Sequence, residues 1–96
     1  MSDFKFEWDK NKNASNLIKH GVSFEEAMSV FYDEKALLIS DPVHSVNEDR
    51  FILLGLSYKL REIVVVHIYK ENDQLIRIIS ARKTTKNENN SYYGIK

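Results

Sequence analysis

Three arginines and one histidine stand in segments that are otherwise largely aliphatic. Arg61 and His67 belong to R-E-I-V-V-V-H-I-Y at residues 61–69, and Arg77 and Arg82 to L-I-R-I-I-S-A-R at residues 75–82. A guanidinium among isoleucines is costly unless a carboxylate or another anion meets it. Side chains alternate between the two faces of an extended chain. Arg61, Ile63, Val65, His67 and Tyr69 therefore share one face of their segment, while Arg77 and Ile79 share one face of the next and Ser80 and Arg82 the other. An open face would let Arg61, His67 and Tyr69 line a groove, with Arg77 or Arg82 contributed by the neighbouring strand in a register the sequence leaves open. Such a set suits metal-free RNA cleavage. One group takes the 2′-hydroxyl proton, another protonates the leaving 5′-oxygen, and cations hold the phosphate as charge develops. Imidazole titrates near neutral pH, and the guanidinium fork matches phosphate.

The same residues also have a plain structural use. His67 between valine and isoleucine fits a hydrogen-bonded sheet residue. Arg50, Arg77 and Arg82 fit ion pairs with Glu48, Asp49 or Glu62. His20, just before Gly21, fits a cation at a helix C-terminus, and Lys10 and Lys12 fit a solvated helix face. Other chemistry is disfavoured: His20, His44 and His67 are far apart, the chain has no cysteine, and no metal-binding spacing occurs. Neither a nucleophile elbow nor a phosphate-cradling glycine loop is present. The expectation is no metal and no cofactor.

The elements that would position these groups can be read in order. Residues 4–8 alternate like a short half-buried strand. Asp9 is placed to cap a helix over residues 10–20, with Ala14, Leu17 and Ile18 as its apolar stripe and Gly21 as its left-handed stop. Ser23 and Glu26 have the spacing of a capping box, opening a second helix of about 10 residues that buries Phe24, Ala27, Met28 and Phe31. Strands follow over residues 36–40, 50–57, 61–69 and 75–82, joined by short links that favour antiparallel pairing. Asp41-Pro42 ends the first of them, a polar link with His44 and Ser45 follows, and Gly55 marks a close backbone approach. Residues 84–93 predict a short helix that either docks through Tyr92 or Tyr93 or frays. The expected fold is α+β: a helical hairpin packed on a four-stranded, mainly antiparallel sheet, with a short C-terminal helix.

Composition sets the bounds. Ninety-six residues, 43% hydrophobic and 29% charged, suit one domain over residues 1–96. No apolar run approaches a membrane span, and the lack of cysteine suits the cytoplasm. The formal net charge is +0, so bulk electrostatics gives no pull toward nucleic acid.

Four stretches, taken in order, resemble the BrnT family of type II toxins. They are F-E-W-D at residues 6–9 with Lys12 and Asn16; K-H-G-V-S-F-E-E-A at residues 19–27 with Val30, Phe31 and Asp33; His44 and Ser45 with Glu48, Arg50 and Gly55; and R-I-I-S-A-R at residues 77–82 with Glu88 and Tyr92. The resemblance implies a RelE-like ribonuclease that cuts RNA and arrests translation. It implies a BrnA-like antitoxin partner with a ribbon-helix-helix domain, a 2:2 complex, and contact with DNA only through that antitoxin. On this reading Arg77 and Arg82 stabilise the phosphate and His20 falls on a motif position suited to proton transfer; strand geometry, rather than the resemblance, adds Arg61 as a further cation and His67 as the best-placed general acid or base. Lys12, Lys83, Lys86 and Tyr92 would contact RNA, and Glu48 and Arg50 would form an ion pair that shapes the site.

The chain departs from the family pattern in its cations. Lys86-Asn87-Glu88-Asn89-Asn90 stands where arginines are usual, and Tyr69-Lys70-Glu71 ends a strand that often carries an arginine. The alternative function is therefore a catalytically weak or inactive toxin homologue that binds the antitoxin and acts as a corepressor.

Overall fold

The computed structural model describes residues 4–41 and 48–94; Pro42, His44 and Ser45 of the expected link lie outside them. The chain runs β1 (Lys5–Glu7), α1 (Lys10–His20), α2 (Phe24–Val30), β2 (Leu37–Ser40), β3 (Arg50–Leu56), β4 (Glu62–Lys70), β5 (Leu75–Lys83) and α3 (Lys86–Tyr93). Local signals place most boundaries. The Asp9 carboxylate accepts the amides of Asn11 and Lys12, and Gly21 ends α1 at φ 71°. Thr85 and Glu88 form a complete capping box at the start of α3. Only half of the expected box forms at α2. The Ser23 hydroxyl accepts the Glu26 amide, but the Glu26 carboxylate turns inward to other partners.

The sheet has five strands rather than four, in the order β1-β5-β4-β3-β2. Strands β2 to β5 form the expected antiparallel meander, and β1 adds a parallel edge beside β5, with Glu7 opposite Arg77. The crossover that a parallel strand needs is the chain between β1 and β5, which includes both N-terminal helices.

Those helices do not form a hairpin packed along its own length. Each lies on the sheet, α1 over β5 and α2 across β3, β4 and β5. The face of α1 turned inward is also not the expected one: Leu17 and Ile18 are 51% and 87% exposed, while Asn16 is buried. Its amide donates to the Val22 and Ala81 carbonyls at 2.8 and 2.7 Å, and its oxygen accepts the Ala81 amide at 3.2 Å. Asn16 thus satisfies the edge of β5 beyond the end of β1, where an aliphatic side chain would leave buried backbone groups unpaired.

The core between helices and sheet contains Val22, Phe24, Ala27, Val30, Leu53, Ile63, Val65, Ile78 and Ala81. Gly55 makes the close approach expected of it: a Cβ there would lie 2.9 Å from Val30 Cγ1. The Tyr92 and Tyr93 hydroxyls tie α3 down to Asp33 and Glu62, at 2.6 and 2.7 Å.

Strict alternation fails at one point in the sheet. Val66 lies opposite Ser80, but His67 lies opposite Ile78, so Ile79 is an extra residue in β5. This bulge reverses the facing of everything before it. Ile76 and Ile78 turn toward the helices, while Arg77 joins Ser80 and Arg82 on the other, more open face. The expected opposition of Arg77 to Ser80 and Arg82 does not hold.

Candidate active site

A cleft of about 430 Å³ opens on the face away from α1 and α2, spanning β3, β4 and β5. Ile52, Val64 and Val66 supply its apolar lining, and Asp41, Arg50, Ser80 and Arg82 its polar groups. The register explains the set: Ile52 is opposite Val66, Val66 opposite Ser80, and Val64 opposite Arg82. Arg50 starts β3 on the same face, and Asp41, just past β2, donates its backbone N–H to the Arg50 carbonyl at 2.8 Å. Two guanidiniums from β3 and β5 thus share a cleft with one carboxylate.

Arg82 does not stand alone. Both terminal nitrogens donate to the Glu88 carboxylate, at 2.7 and 2.8 Å. These bonds hold the Glu88 carboxyl far below the usual carboxylate range, at about 2, and raise the Arg82 guanidinium further. Glu88 simultaneously caps α3, so the cleft arginine and the C-terminal helix share one anchor. Arg50 lies 3.6 Å from Glu48, an edge-on approach by Nε.

Arg77 reaches the cleft's face but not its lining. It donates to Glu7 at 3.0 Å, and Lys70 reaches the same carboxylate oxygen at 3.0 Å. Hydrogen bonds from Lys70 and Arg77 hold the Glu7 carboxyl below its ordinary value.

The groove expected from Arg61, His67 and Tyr69 does not form. Their strand face is turned toward the helices, where Ile63, Val65 and His67 are buried and Arg61 and Tyr69, at its two ends, are half-buried. His67 is 0% exposed, ringed by Phe31, Phe51 and Tyr69. Its Nδ1 lies 3.1 Å from the Val65 carbonyl and its Nε2 lies 3.2 Å from the Tyr69 hydroxyl. Burial pushes its pKa down to about 4, so the ring stays neutral at physiological pH and cannot meet an RNA phosphate.

Arg61 grips the wholly buried carboxylate of Glu26, which Ser57 also bonds at 2.7 Å, and donates to the Gly21 carbonyl at 3.0 Å. Burial alone would push the Glu26 carboxyl up, but the bonds from Arg61 and Ser57 outweigh it and keep it below its ordinary value. Arg61 is a clamp joining the β3–β4 turn to α2.

The remaining expected residues are dispersed. Lys12 is exposed and His20 half-buried on α1, across the sheet from the cleft. Lys83 and Lys86 are exposed near the end of β5, outside the cleft lining, and Tyr92 is bound to Asp33. Among the described residues no group of His, Asp, Glu or Cys has the arrangement of a metal site. Nothing in the sequence marks Asp41 as a cleft residue, and the sequence pattern gives Arg50 only the role of an ion-pair partner. Alternation did place Arg50 with Ile52, but the partner strand's register was needed to bring Ser80 and Arg82 beside them.

Residues 8–88 match the family described as the ribonuclease toxin BrnT of type II toxin–antitoxin systems. The chain belongs to the BrnT family. Its fold is similar to that in the 1.1 Å-resolution crystal structure of the Brucella abortus ribonuclease toxin BrnT, with a TM-score of 0.64 at 22% identity, covering 88% of this chain and 100% of that one. A sequence comparison with curated proteins found no match. The three helices and five-stranded sheet are thus an α+β arrangement shared with BrnT.

Proposed function

We propose that this BrnT family chain is a cytoplasmic endoribonuclease that cuts RNA without a metal ion and thereby arrests translation and growth. The observation that carries this reading is the placing of Arg50 and Arg82 around one cleft on the open sheet face. The two guanidiniums hold the scissile phosphate and stabilise its added charge as the 2′-oxygen attacks. The 2′-hydroxyl proton passes to the Asp41 carboxylate, and the 5′-oxygen leaves protonated by solvent, giving a 2′,3′-cyclic phosphate and a 5′-hydroxyl. Arg77 and Lys70, further along the same face, meet the flanking backbone. His67 and Arg61 serve the fold.

The toxin is held by a BrnA-like antitoxin with a ribbon-helix-helix domain, in a 2:2 complex that reaches DNA only through the antitoxin. A second reading is favoured by the carboxylates already bonded to the strand arginines: Glu88 on Arg82, Glu7 on Arg77 and Glu26 on Arg61. In that reading the chain binds the antitoxin as a corepressor and cleaves little RNA.

Induced expression in bacteria, with growth and RNA integrity followed together, separates the two. Growth arrest with RNA cleavage, lost in Arg50→Ala and Arg82→Ala variants that remain folded, supports the nuclease. Normal growth with intact RNA, the native chain being soluble and folded, supports the corepressor.

A further inference from the structure

The sheet ends, among the described residues, on a strand that is apolar and uncovered. Every residue of β2 is exposed, with Leu37, Leu38 and Ile39 at 38%, 54% and 50%. An edge of this kind is normally blunted by charge, proline or a covering element, and β2 contains no charge and no proline.

Its backbone polarity follows from the ladder. The Asp41 amide donates to the Arg50 carbonyl, so by antiparallel alternation Leu37 and Ile39 turn their N–H and C=O groups toward β3. Leu38 and Ser40 turn theirs outward.

Beside this edge, on the helix-covered face, α2 stops short. Leu38, Phe51, Tyr69 and Asp73 line a hollow of about 330 Å³ there. The turn that delivers Asp73 holds Glu71, Asn72 and Asp73 at φ 53°, 59° and 68°. Three successive non-glycine residues in the left-handed region are a strained arrangement of the sort found at binding sites. Apart from Tyr69, whose hydroxyl bonds His67, the rest of the lining is apolar, so the one carboxylate selects for a cation on whatever fills the hollow.

We propose that β2 and the Leu38–Phe51–Tyr69–Asp73 hollow are the docking site for an extended segment of the antitoxin, which adds a sixth strand and places one aliphatic and one basic side chain beside Asp73. The proposal rests on the toxin–antitoxin reading, since a type II toxin has a protein antitoxin as its partner. Strand addition supplies affinity through the main chain, and the hollow supplies specificity through alternate side chains. The added strand would lie against the segment that leads from Ser40 into Asp41 at the cleft, so one antitoxin chain can pair with the edge and continue toward the arginines.

The test titrates the cognate antitoxin, sought as a ribbon-helix-helix protein in the reading frames adjoining that of this chain, against the full-length chain. Ser40→Pro removes an outward N–H without touching the ladder to β3, and should weaken binding about tenfold. Leu38→Lys should weaken it about 100-fold through the hollow. Asp73→Asn keeps a residue that tolerates the left-handed turn, and should lower the association rate and flatten its salt dependence. Each variant is first shown to melt cooperatively, and Ile18→Lys on the far helix is the control that should bind like the native chain.

Native-like binding by all three variants, or no complex with the folded native chain, overturns the proposal. So does dimerisation of this chain alone that Ser40→Pro abolishes, since the edge would then belong to a second copy. Binding is read without RNA: a complex that responds to these variants in a chain without nuclease activity would overturn the catalytic reading and leave this one standing.

Discussion

Arg82 is bound through both guanidinium nitrogens to Glu88, at 2.7 and 2.8 Å, and Glu88 in turn accepts the Thr85 amide at 2.8 Å. One carboxylate therefore fixes both the cleft arginine and the first turn of α3. On the proposed nuclease reading, RNA phosphate must share Arg82 with Glu88 or displace it.

Glu88→Gln keeps the capping geometry and removes the charge. Its expected effects are a loss of about 1–2 kcal/mol in stability and a lower KM for RNA, because Arg82 is freer to meet phosphate. Urea unfolding and cleavage kinetics on one RNA check both. The Glu88 carboxyl is depressed from 4.5 to about 2 in the folded chain. Its contribution is therefore fully present above pH 4.5 and is lost as pH falls toward 2; Glu88→Gln should lack that acid-sensitive part.

His67 has the opposite chemistry but the same direction of pH dependence. Its folded pKa is lowered from 6.5 to about 4, so between those values the unfolded chain binds a proton that the folded chain does not. Stability should fall as pH drops from 6.5 to 4, by about 2 kcal/mol at pH 5 from this residue alone. His67→Phe, measured by urea midpoints at pH 7 and pH 5, should show a shallower decline. Its RNA cleavage at pH 7 should stay within about threefold of the native rate if the variant is folded, because the ring does not reach the cleft.

Arg61→Ala leaves the Glu26 carboxylate buried with Ser57 and with Lys59, whose Nζ is 4.0 Å away. Removing one partner of a buried pair costs about 3–5 kcal/mol. Thermal melting should therefore report a severe loss of stability, and activity should fall with the folded fraction rather than through KM. The Glu26→Gln, Arg61→Met double variant should recover much of the loss.

Most of the fold was legible where local rules act alone. Asp9, Gly21 and Ser23 mark helix ends through single side chains and one φ, and the four-strand meander follows from short links. What was hidden depended on long-range partners. Glu7 and Arg77 become neighbours across 70 residues only because β1 joins β5 in parallel. Asn16 reads as a polar surface residue until Ala81 is beside it. The bulge at Ile79 has no glycine to announce it, so strict alternation put Arg77 on the wrong face. In the same way the pattern of β4 showed that His67 and Arg61 share a side, but not that α2 and Phe31 cover it. The strand arginines were legible as a set, but the cleft joins Arg50 and Asp41 to Arg82 and leaves His67 and Arg61 outside it.

The most direct measurement is cleavage of a defined RNA by the purified chain in excess EDTA, comparing native with Arg50→Gln, Arg82→Gln and the double variant, each verified as folded. The account predicts EDTA-resistant cleavage yielding 2′,3′-cyclic phosphate ends. Each single variant should lower kcat/KM by about 10²–10³-fold, and the double variant more, while Arg77→Gln should have a smaller effect. Cleavage that EDTA abolishes, or that survives the double variant undiminished, would contradict it.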